Sequence, residues 1–130
     1  MHHTFTKDER LTRKNLIGFL FNKGTSFFIY PFRVTWLIYE IPSSHPVQIL
    51  IAVPRQNWKK AIDRNLLKRR IREGYRKNKN ILYEELSSRH LTMILGITYA
   101  AKEIVSSTVI HEKIILLLQR LKEENAETAG

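Results

Sequence analysis

Cysteine is absent from this chain of 130 residues, and aspartate occurs at only two positions, Asp8 and Asp63. Without cysteine there is no disulfide framework, no thiolate nucleophile and no cysteine-ligated zinc. A nuclease that uses two metal ions needs several carboxylates that converge on the metals. Asp63 stands among basic residues, and the adjacent Glu84 and Glu85 point about 100° apart on a helix. The sequence therefore predicts neither a catalytic residue nor a metal ligand in the protein itself.

Long hydrophobic runs and several familiar motifs are also missing. The longest apolar runs, residues 49–53 and 114–118, are much shorter than the roughly 20 residues that span a bilayer. No secretory signal pattern opens the chain, so we expect a cytoplasmic protein without a membrane partner. The histidines lack HxxH or HExxH spacing, and neither GxSxG nor a glycine-rich phosphate loop occurs.

The composition is that of one folded domain over residues 1–130. Hydrophobic residues make up 43% of the chain, and the formal net charge is +10. A chain of this length can bury a substantial core. We expect an extended polar arm over residues 1–11 and a frayed acidic tail over residues 123–130.

The positive charge is concentrated between Lys59 and Lys79. This segment holds ten basic residues against two acidic ones, a net of +8 out of +10 for the whole chain. Local charge of this density is typical of a protein with a polyanionic partner. A solvated surface helix is the alternative interpretation, but such helices usually alternate acidic and basic residues in i,i+4 pairs.

A helical projection separates this segment into two faces. Leu67, Ile71 and Tyr75 gather on one side, which we expect to face a core. Arg70 lies off the main cationic band. Arginine predominates at the centre, which suits two-pronged phosphate recognition. The band itself consists of Arg64, Asn65, Lys68, Arg69, Arg72 and Arg76.

The periodicities predict an α+β fold in the order α-β-β-α-β-α, a small sandwich with a central sheet. In the first strand Arg33 and Thr35 lie opposite the apolar face, where they form a half-polar floor. Gly24 ends the first helix, Asn57 caps the basic one, and Ser107 or Thr108 caps the last. One or two further helical turns are expected near residues 81–86. The predicted elements span residues 13–23, 32–41, 47–53, 58–78, 91–99 and 108–122.

Other binding modules fit less well. The aromatic motif of an RRM and the GXXG loop of a KH domain are absent, and no heptads follow the basic segment as in a zipper. A membrane-surface helix is conceivable because Trp58 begins the segment. Its apolar stripe is narrow, however, and the flanking strands would use it for a core.

Three segments together resemble the protein subunit of bacterial ribonuclease P. Residues 63–76, DRNLLKRRIREGYR, resemble its arginine-asparagine-arginine motif. Residues 10–26, RLTRKNLIGFLFNKGTS, resemble the family's N-terminal helix, and residues 51–65, IAVPRQNWKKAIDRN, resemble its strand-to-helix junction. The resemblance spans roughly Arg10 to Leu121, including the order of the elements.

The chain departs from the family pattern at several positions. Leu66 replaces the third arginine of the motif, and Ile17 stands where the family commonly has phenylalanine. Arg55 stands in place of a lysine, and one extra residue lies between Val53 and Arg64. The resemblance thus implies weaker stacking in the cleft, or stacking supplied from elsewhere.

The resemblance implies the accessory subunit of an endoribonuclease that assists a catalytic RNA in removing the 5′ leader from precursor tRNA. Its partners would be ribonuclease P RNA and the leader, with one protein monomer per RNA. Magnesium would be bound mainly by the RNA, and the βαβ crossover around the basic helix would be left-handed. The alternative is a general RNA-binding or ribosome-associated protein without a role in tRNA 5′ maturation.

The family's functional residues carry over to two groups of positions. The leader cleft would be lined by Ile17, Phe21, Arg33 and Thr35, although on spacing alone Ile17 and Phe21 also fit plain core packing. The RNA-binding surface would consist of Arg55, Lys60, Arg64, Asn65, Lys68, Arg69, Arg70, Arg72 and Arg76.

Overall fold

The computed structural model describes residues 5–128 and contains a four-stranded sheet with helices on both faces. A short 3₁₀ turn, Lys7–Glu9, precedes the longer elements. The α+β class predicted from the sequence is confirmed. In chain order the elements are α1 (Lys14–Lys23), β1 (Thr25–Ile29), β2 (Phe32–Ile38), β3 (Val47–Ala52), α2 (Ala61–Asn78), α3 (Asn80–Ser88), β4 (Met93–Tyr99) and α4 (Ser107–Thr128).

The strands lie side by side in the order β1-β2-β4-β3. β1 pairs with β2 and β2 with β4 in antiparallel fashion, whereas β3 and β4 are parallel. Parallel neighbours need a long connection, since a tight turn cannot join their ends. Here α2 and α3 form that connection, so the basic helix lies in a βαβ crossover as predicted.

The two faces of the sheet belong to different cores, because successive side chains of a strand point to opposite faces. Leu95 and Ile97 of β4 join the main core with α2, α3 and α4. Ile94, on the opposite face, packs in a smaller cluster with Leu16 and Leu20 of α1. The helices α2 and α4 therefore lie on one side of the sheet and α1 on the other.

The predicted element order lacked strand β1. Its residues pair with β2 from Thr25 opposite Trp36 to Ile29 opposite Phe32. Because the apolar residues of this segment follow one another without alternation, and Pro31 lies two residues after its last residue, no period of two marks the strand. Only its pairing with β2 defines it.

Several predicted boundaries were wrong by two or three residues. β2 ends at Ile38, not 41, and β4 begins at Met93, not 91. The basic helix begins at Ala61 because Trp58 is a core anchor: its side chain is 8% exposed, and Nε1 donates a hydrogen bond to the Ala101 carbonyl at 3.2 Å. Asn57 is accordingly not the cap.

The described part of the predicted arm is packed against the sheet. Leu11 is buried, and its backbone N–H donates to the Ile49 carbonyl at 2.8 Å. The predicted frayed tail was also wrong as far as residue 128, because α4 continues to Thr128. Asn125 is buried there, with Nδ2 donating to the Leu121 carbonyl. Residues 1–4 and 129–130 lie outside the described part.

Candidate nucleic-acid interface

Helix α2 presents the two faces predicted from its sequence. Leu67, Ile71 and Tyr75 are fully buried. Gly74 lies against α4, where a Cβ would come within 2.8 Å of Ile114 Cδ1. The helix is thus held on one side by the core, and its opposite side faces solvent.

The solvent side of α2 and the turn before it form a cationic surface. Arg55 lies in that turn, and Lys60 immediately precedes the helix. Arg69 and Arg72 follow on the helix itself, together with the amide of Asn65. All five side chains are exposed. We call these five residues the α2 surface.

Arg64 and Lys68 are less exposed than the projection suggested. Arg64 is half-buried, and Nη1 donates to the carbonyls of Trp58 at 2.8 Å and Lys59 at 3.0 Å. Its guanidinium therefore fixes the chain before α2 and has fewer donors left for RNA. Lys68 is also half-buried.

Two further predicted RNA-binding residues are engaged within the protein. Arg70 Nη1 donates to the carbonyl of Val105, in the loop between β4 and α4, at 2.9 Å. Arg76 forms an ion pair with Glu73 at 2.5 Å, and its hydrogen bonds lower the pKa of that carboxyl below the ordinary value. Arg70 thus uses a donor within the protein, whereas Arg76, one helical turn after Arg72, stays beside the α2 surface with its charge offset by Glu73.

Lys79, counted in the basic segment, does not add charge to the surface. Its side chain is 8% exposed and Nζ lies 2.5 Å from Oε1 of the fully buried Glu9. The ammonium also lies 5.2 Å from the ring centre of Tyr83. A buried charge needs such partners because desolvation is costly. No local pattern indicates this pair, because its residues are 70 positions apart in the sequence.

Three of the four predicted cleft residues lie on the α1 side of the sheet with accessible side chains. Ile17 is half-buried and Arg33 is exposed. Phe21 is 46% exposed and lies over β4, where a Cβ on Gly96 would be 3.0 Å from its Cζ. The glycine therefore makes room for the ring. Phe21 is thus not plain core.

Thr35 is the exception in this group. It is 2% exposed, and its hydroxyl is hydrogen-bonded to that of Ser26 at 2.9 Å. Burial follows from the close approach of α1 at its end, since a Cβ on Gly24 would lie 2.9 Å from Thr35 Cγ2. The strand alternation placed Thr35 on the correct face but gave no indication that the helix end covers it.

Sequence reasoning missed a small basic pocket between α2 and β3. The pocket holds about 180 Å³, and its lining includes Arg10, Arg72, Phe5 and Ile51. The guanidinium of Arg10 lies 5.4 Å from the Phe5 ring centre. The predicted extended arm gives no indication that Phe5 and Arg10 line a pocket with Arg72. The pocket continues the positive surface of α2 towards the edge of the sheet.

The remaining surface offers little to a metal or a polyanion. Within residues 5–128, no group of three or more histidine, aspartate or glutamate residues is arranged to hold a metal ion. In the same range no helix is both long and apolar enough to cross a membrane. A larger pocket of about 860 Å³ between α3 and α4 is lined by Glu84, Glu85 and Glu123, and its acidic lining does not suit RNA.

A one-sided cationic helix on one side of the sheet, with a partly open face on the other, defines the class of protein: an α+β domain with a surface for a polyanion. Comparison with known proteins identifies the family. The family model for Ribonuclease P matches residues 5–122. The ribonuclease P protein component of Porphyromonas gingivalis is 32% identical over 102 residues, covering 76% of this chain and 72% of that protein. The corresponding protein of Chlorobium phaeobacteroides is 28% identical, and the match covers 94% of this chain and 97% of that protein.

Solved structures agree with this result. The ribonuclease P protein of Thermotoga maritima superposes with a TM-score of 0.69 at 26% identity, covering 86% of this chain and 96% of that one. The Staphylococcus aureus protein gives the same TM-score at 19% identity, and the match covers 86% of this chain and 94% of that one. At this identity it supports the fold alone. The chain belongs to the ribonuclease P protein family. It is thus an accessory protein subunit of the endoribonuclease that processes the 5′ end of tRNA, with ribonuclease P RNA as its partner.

Proposed function

We propose that this subunit binds RNA through two separate surfaces. The α2 surface binds ribonuclease P RNA, or precursor tRNA near the cleavage site, and the cleft beside α1 binds the 5′ leader. One protein monomer joins one catalytic RNA. The observation that carries the proposal is the exposure of Arg55, Lys60, Arg69 and Arg72 along the solvent side of α2 and the turn before it.

Charge explains why such a protein helps a catalytic RNA. Two RNA molecules repel each other through their phosphates, and cations placed beside them release condensed counterions on binding. The α2 surface supplies these cations on a rigid helix, because its inner face is anchored in the core. Arg64 has a different role in this proposal, in which it fixes the start of α2 and presents its remaining donors to phosphate.

Hydrolysis is left to the RNA in this proposal. Ribonuclease P chemistry uses metal ions, and the residues described here provide no matching set of ligands. We therefore assign magnesium mainly to the RNA subunit and route no step through a metal on the protein. The protein holds the leader and screens phosphate charge, which raises the affinity for substrate and for metal ions bound by the RNA.

Reconstitution with the RNA subunit, titrated with magnesium, tests the proposal. The protein alone should leave precursor tRNA intact, and together with the RNA it should lower the magnesium concentration needed for cleavage. The complex should also bind precursor tRNA more tightly than mature tRNA. Cleavage without RNA would identify a protein-only nuclease, and binding without preference for the precursor would favour a general RNA-binding protein.

The salt dependence of binding tests the α2 surface directly. Each phosphate contact that is lost should flatten the plot of log affinity against log salt by about 1. We expect this change for Arg69→Ala and about twice as much when Arg72→Ala is added. Lys122→Ala is the matched control, because it removes an exposed charge beside the acidic pocket of α3 and α4. Equal slopes for Arg69→Ala and Lys122→Ala would show that the α2 surface does not face RNA.

A further inference from the structure

A row of side chains on the α1 side of the sheet remains uncovered. The strand pairings place Phe28, Arg33, Thr98 and Ala52 side by side across all four strands. Phe28 is 53% exposed, Arg33 is exposed, and the other two are half-buried. No carboxylate occurs in this row. It is therefore a flat strip with an aromatic ring at one end and a cation beside it.

On this α1 side of the sheet, the part covered by α1 ends at Phe21, which lies over the row next to that of Phe28 and Arg33. Its ring lies over Gly96, which is level with Thr35 of β2 and Ser26 of β1. Strands lie about 4.8 Å apart, and alternate residues of a strand lie about 6.8 Å apart. The Cα atoms of Gly96 and Phe28 are thus separated by roughly 12 Å across the sheet, and Arg33 lies between them.

A second aromatic ring supports Phe28. The rings of Phe28 and Tyr30 are 6.5 Å apart in an edge-to-face arrangement, and Tyr30 is 44% exposed. A single exposed aromatic side chain is common on protein surfaces. Two in contact next to an arginine match the pattern of single-stranded RNA sites, where bases stack on aromatic rings and cations bind the backbone.

We propose that Phe28, supported by Tyr30, is a second base-stacking site for the 5′ leader, and that Arg33 binds the phosphate backbone between Phe28 and Phe21. This inference rests on the proposed function, because it assumes that a leader enters the cleft. It also accounts for the aliphatic Ile17 on α1: this helix offers one stacking ring at the cleft, and the second ring comes from β1.

Single-stranded RNA is the favoured occupant on the grounds of charge. The chain carries a net charge of +10. In the strip, Arg33 of β2 is the direct cross-strand neighbour of Phe28 of β1, so a positive charge stands beside the aromatic ring. An apolar protein partner would leave the Arg33 charge without a partner at the interface, which is costly. A protein partner is therefore an outcome that the experiment must detect.

The test measures how tightly the reconstituted ribonuclease P complex binds precursor tRNAs with leaders of graded length. With long leaders, Phe28→Ala should weaken binding about tenfold, the size expected for the loss of one stacked base. Phe28→Trp should restore binding, whereas Phe28→Leu should not. The loss should vanish once the leader is too short to reach β1, or when an abasic nucleotide occupies the position that stacks on Phe28.

Phe19→Ala is the matched control. Phe19 is 41% exposed on the same helix as Phe21, but its ring packs against Tyr39, 5.6 Å away. This variant should bind all precursors like the unmodified protein. Thermal unfolding of Phe28→Ala should match that of the unmodified protein, which would exclude misfolding as the cause of a loss.

The outcomes separate the two proposals. If Phe21→Ala weakens binding of long leaders but Phe28→Ala behaves like Phe19→Ala, the proposal of a second stacking site at Phe28 is refuted. The proposal that the leader binds in the cleft beside α1 is then retained. If precursor and mature tRNA bind equally well, the proposed function itself fails. A loss that is independent of leader length would overturn the inference. The inference would also be overturned if the protein self-associated and Phe28→Ala abolished this self-association without changing leader binding.

Discussion

The two faces of the sheet are built from the same four strands but differ in how far they are covered. On one face α2, α3 and α4 bury side chains of every strand. On the other, α1 leaves the row from Phe28 to Ala52 open. Phe27 and Phe28 show the difference between neighbouring residues: Phe27 is 8% exposed and lies under the guanidinium of Arg120 at 4.2 Å, whereas Phe28 is 53% exposed. The covered face provides most of the core, and the open face is available to a ligand.

Replacing Phe27 by alanine should have the largest effect on stability. Truncating a buried phenylalanine costs about 3–5 kcal/mol through lost burial and the cavity left behind. Phe28→Ala should change the free energy of unfolding by less than about 0.5 kcal/mol, as is usual at the surface. Urea denaturation of the two variants compares the faces directly. Similar losses for both would mean that the open face contributes as much to folding as the covered one.

An intermediate effect is expected where α1 meets the sheet. A Cβ on Gly24 would lie 2.5 Å from the Leu20 carbonyl oxygen and 2.9 Å from that of Trp36. Gly24→Ala should therefore force α1 away from β2 and cost about 1–3 kcal/mol, the usual range for overpacking. The loss of thermal stability should be accompanied by weaker binding of precursor tRNA, because Phe21 moves with the helix. An unchanged melting temperature would show that the end of α1 is held less closely.

The smallest effect, and one of opposite sign, is expected for Gly18 in the middle of α1. A Cβ there would meet no atom within 4 Å. Gly18→Ala should stabilise the protein by about 0.5–1 kcal/mol, because glycine loses more backbone entropy than alanine in a helix. Differential scanning calorimetry provides the measurement. A destabilised variant would imply that α1 needs flexibility at this position in the folded state.

The sequence predicted the parts of the molecule where a local period is strong. Charge and apolar residues at helical spacing identified α2, and the alternation at Phe32, Val34 and Trp36 identified β2. The β1 strand was missed because both Phe27 and Phe28 are apolar although they face opposite sides. Its identity comes from pairing with β2, which no local pattern encodes.

Long-range contacts explain the remaining differences at the candidate site. Arg70 and Arg76 belong to the basic sequence, but the Val105 carbonyl in the loop before α4 engages Arg70, and Glu73 engages Arg76. Thr35 alternates correctly but is covered by the end of α1. A helical projection records direction around one helix, and it contains no information about which neighbouring element occupies that direction. The amount of positive charge was predictable, and its distribution over the surface was not.

The buried contact between Glu9 and Lys79 makes the segment around Glu9 part of the folded unit. It ties the segment before α1 to the residue that ends α2, and this same segment brings Arg10 next to Arg72. Deleting the first nine residues would remove the carboxylate that neutralises the buried Lys79 ammonium group, which costs more than trimming an exposed segment. Expression designs that shorten this protein should therefore retain Glu9.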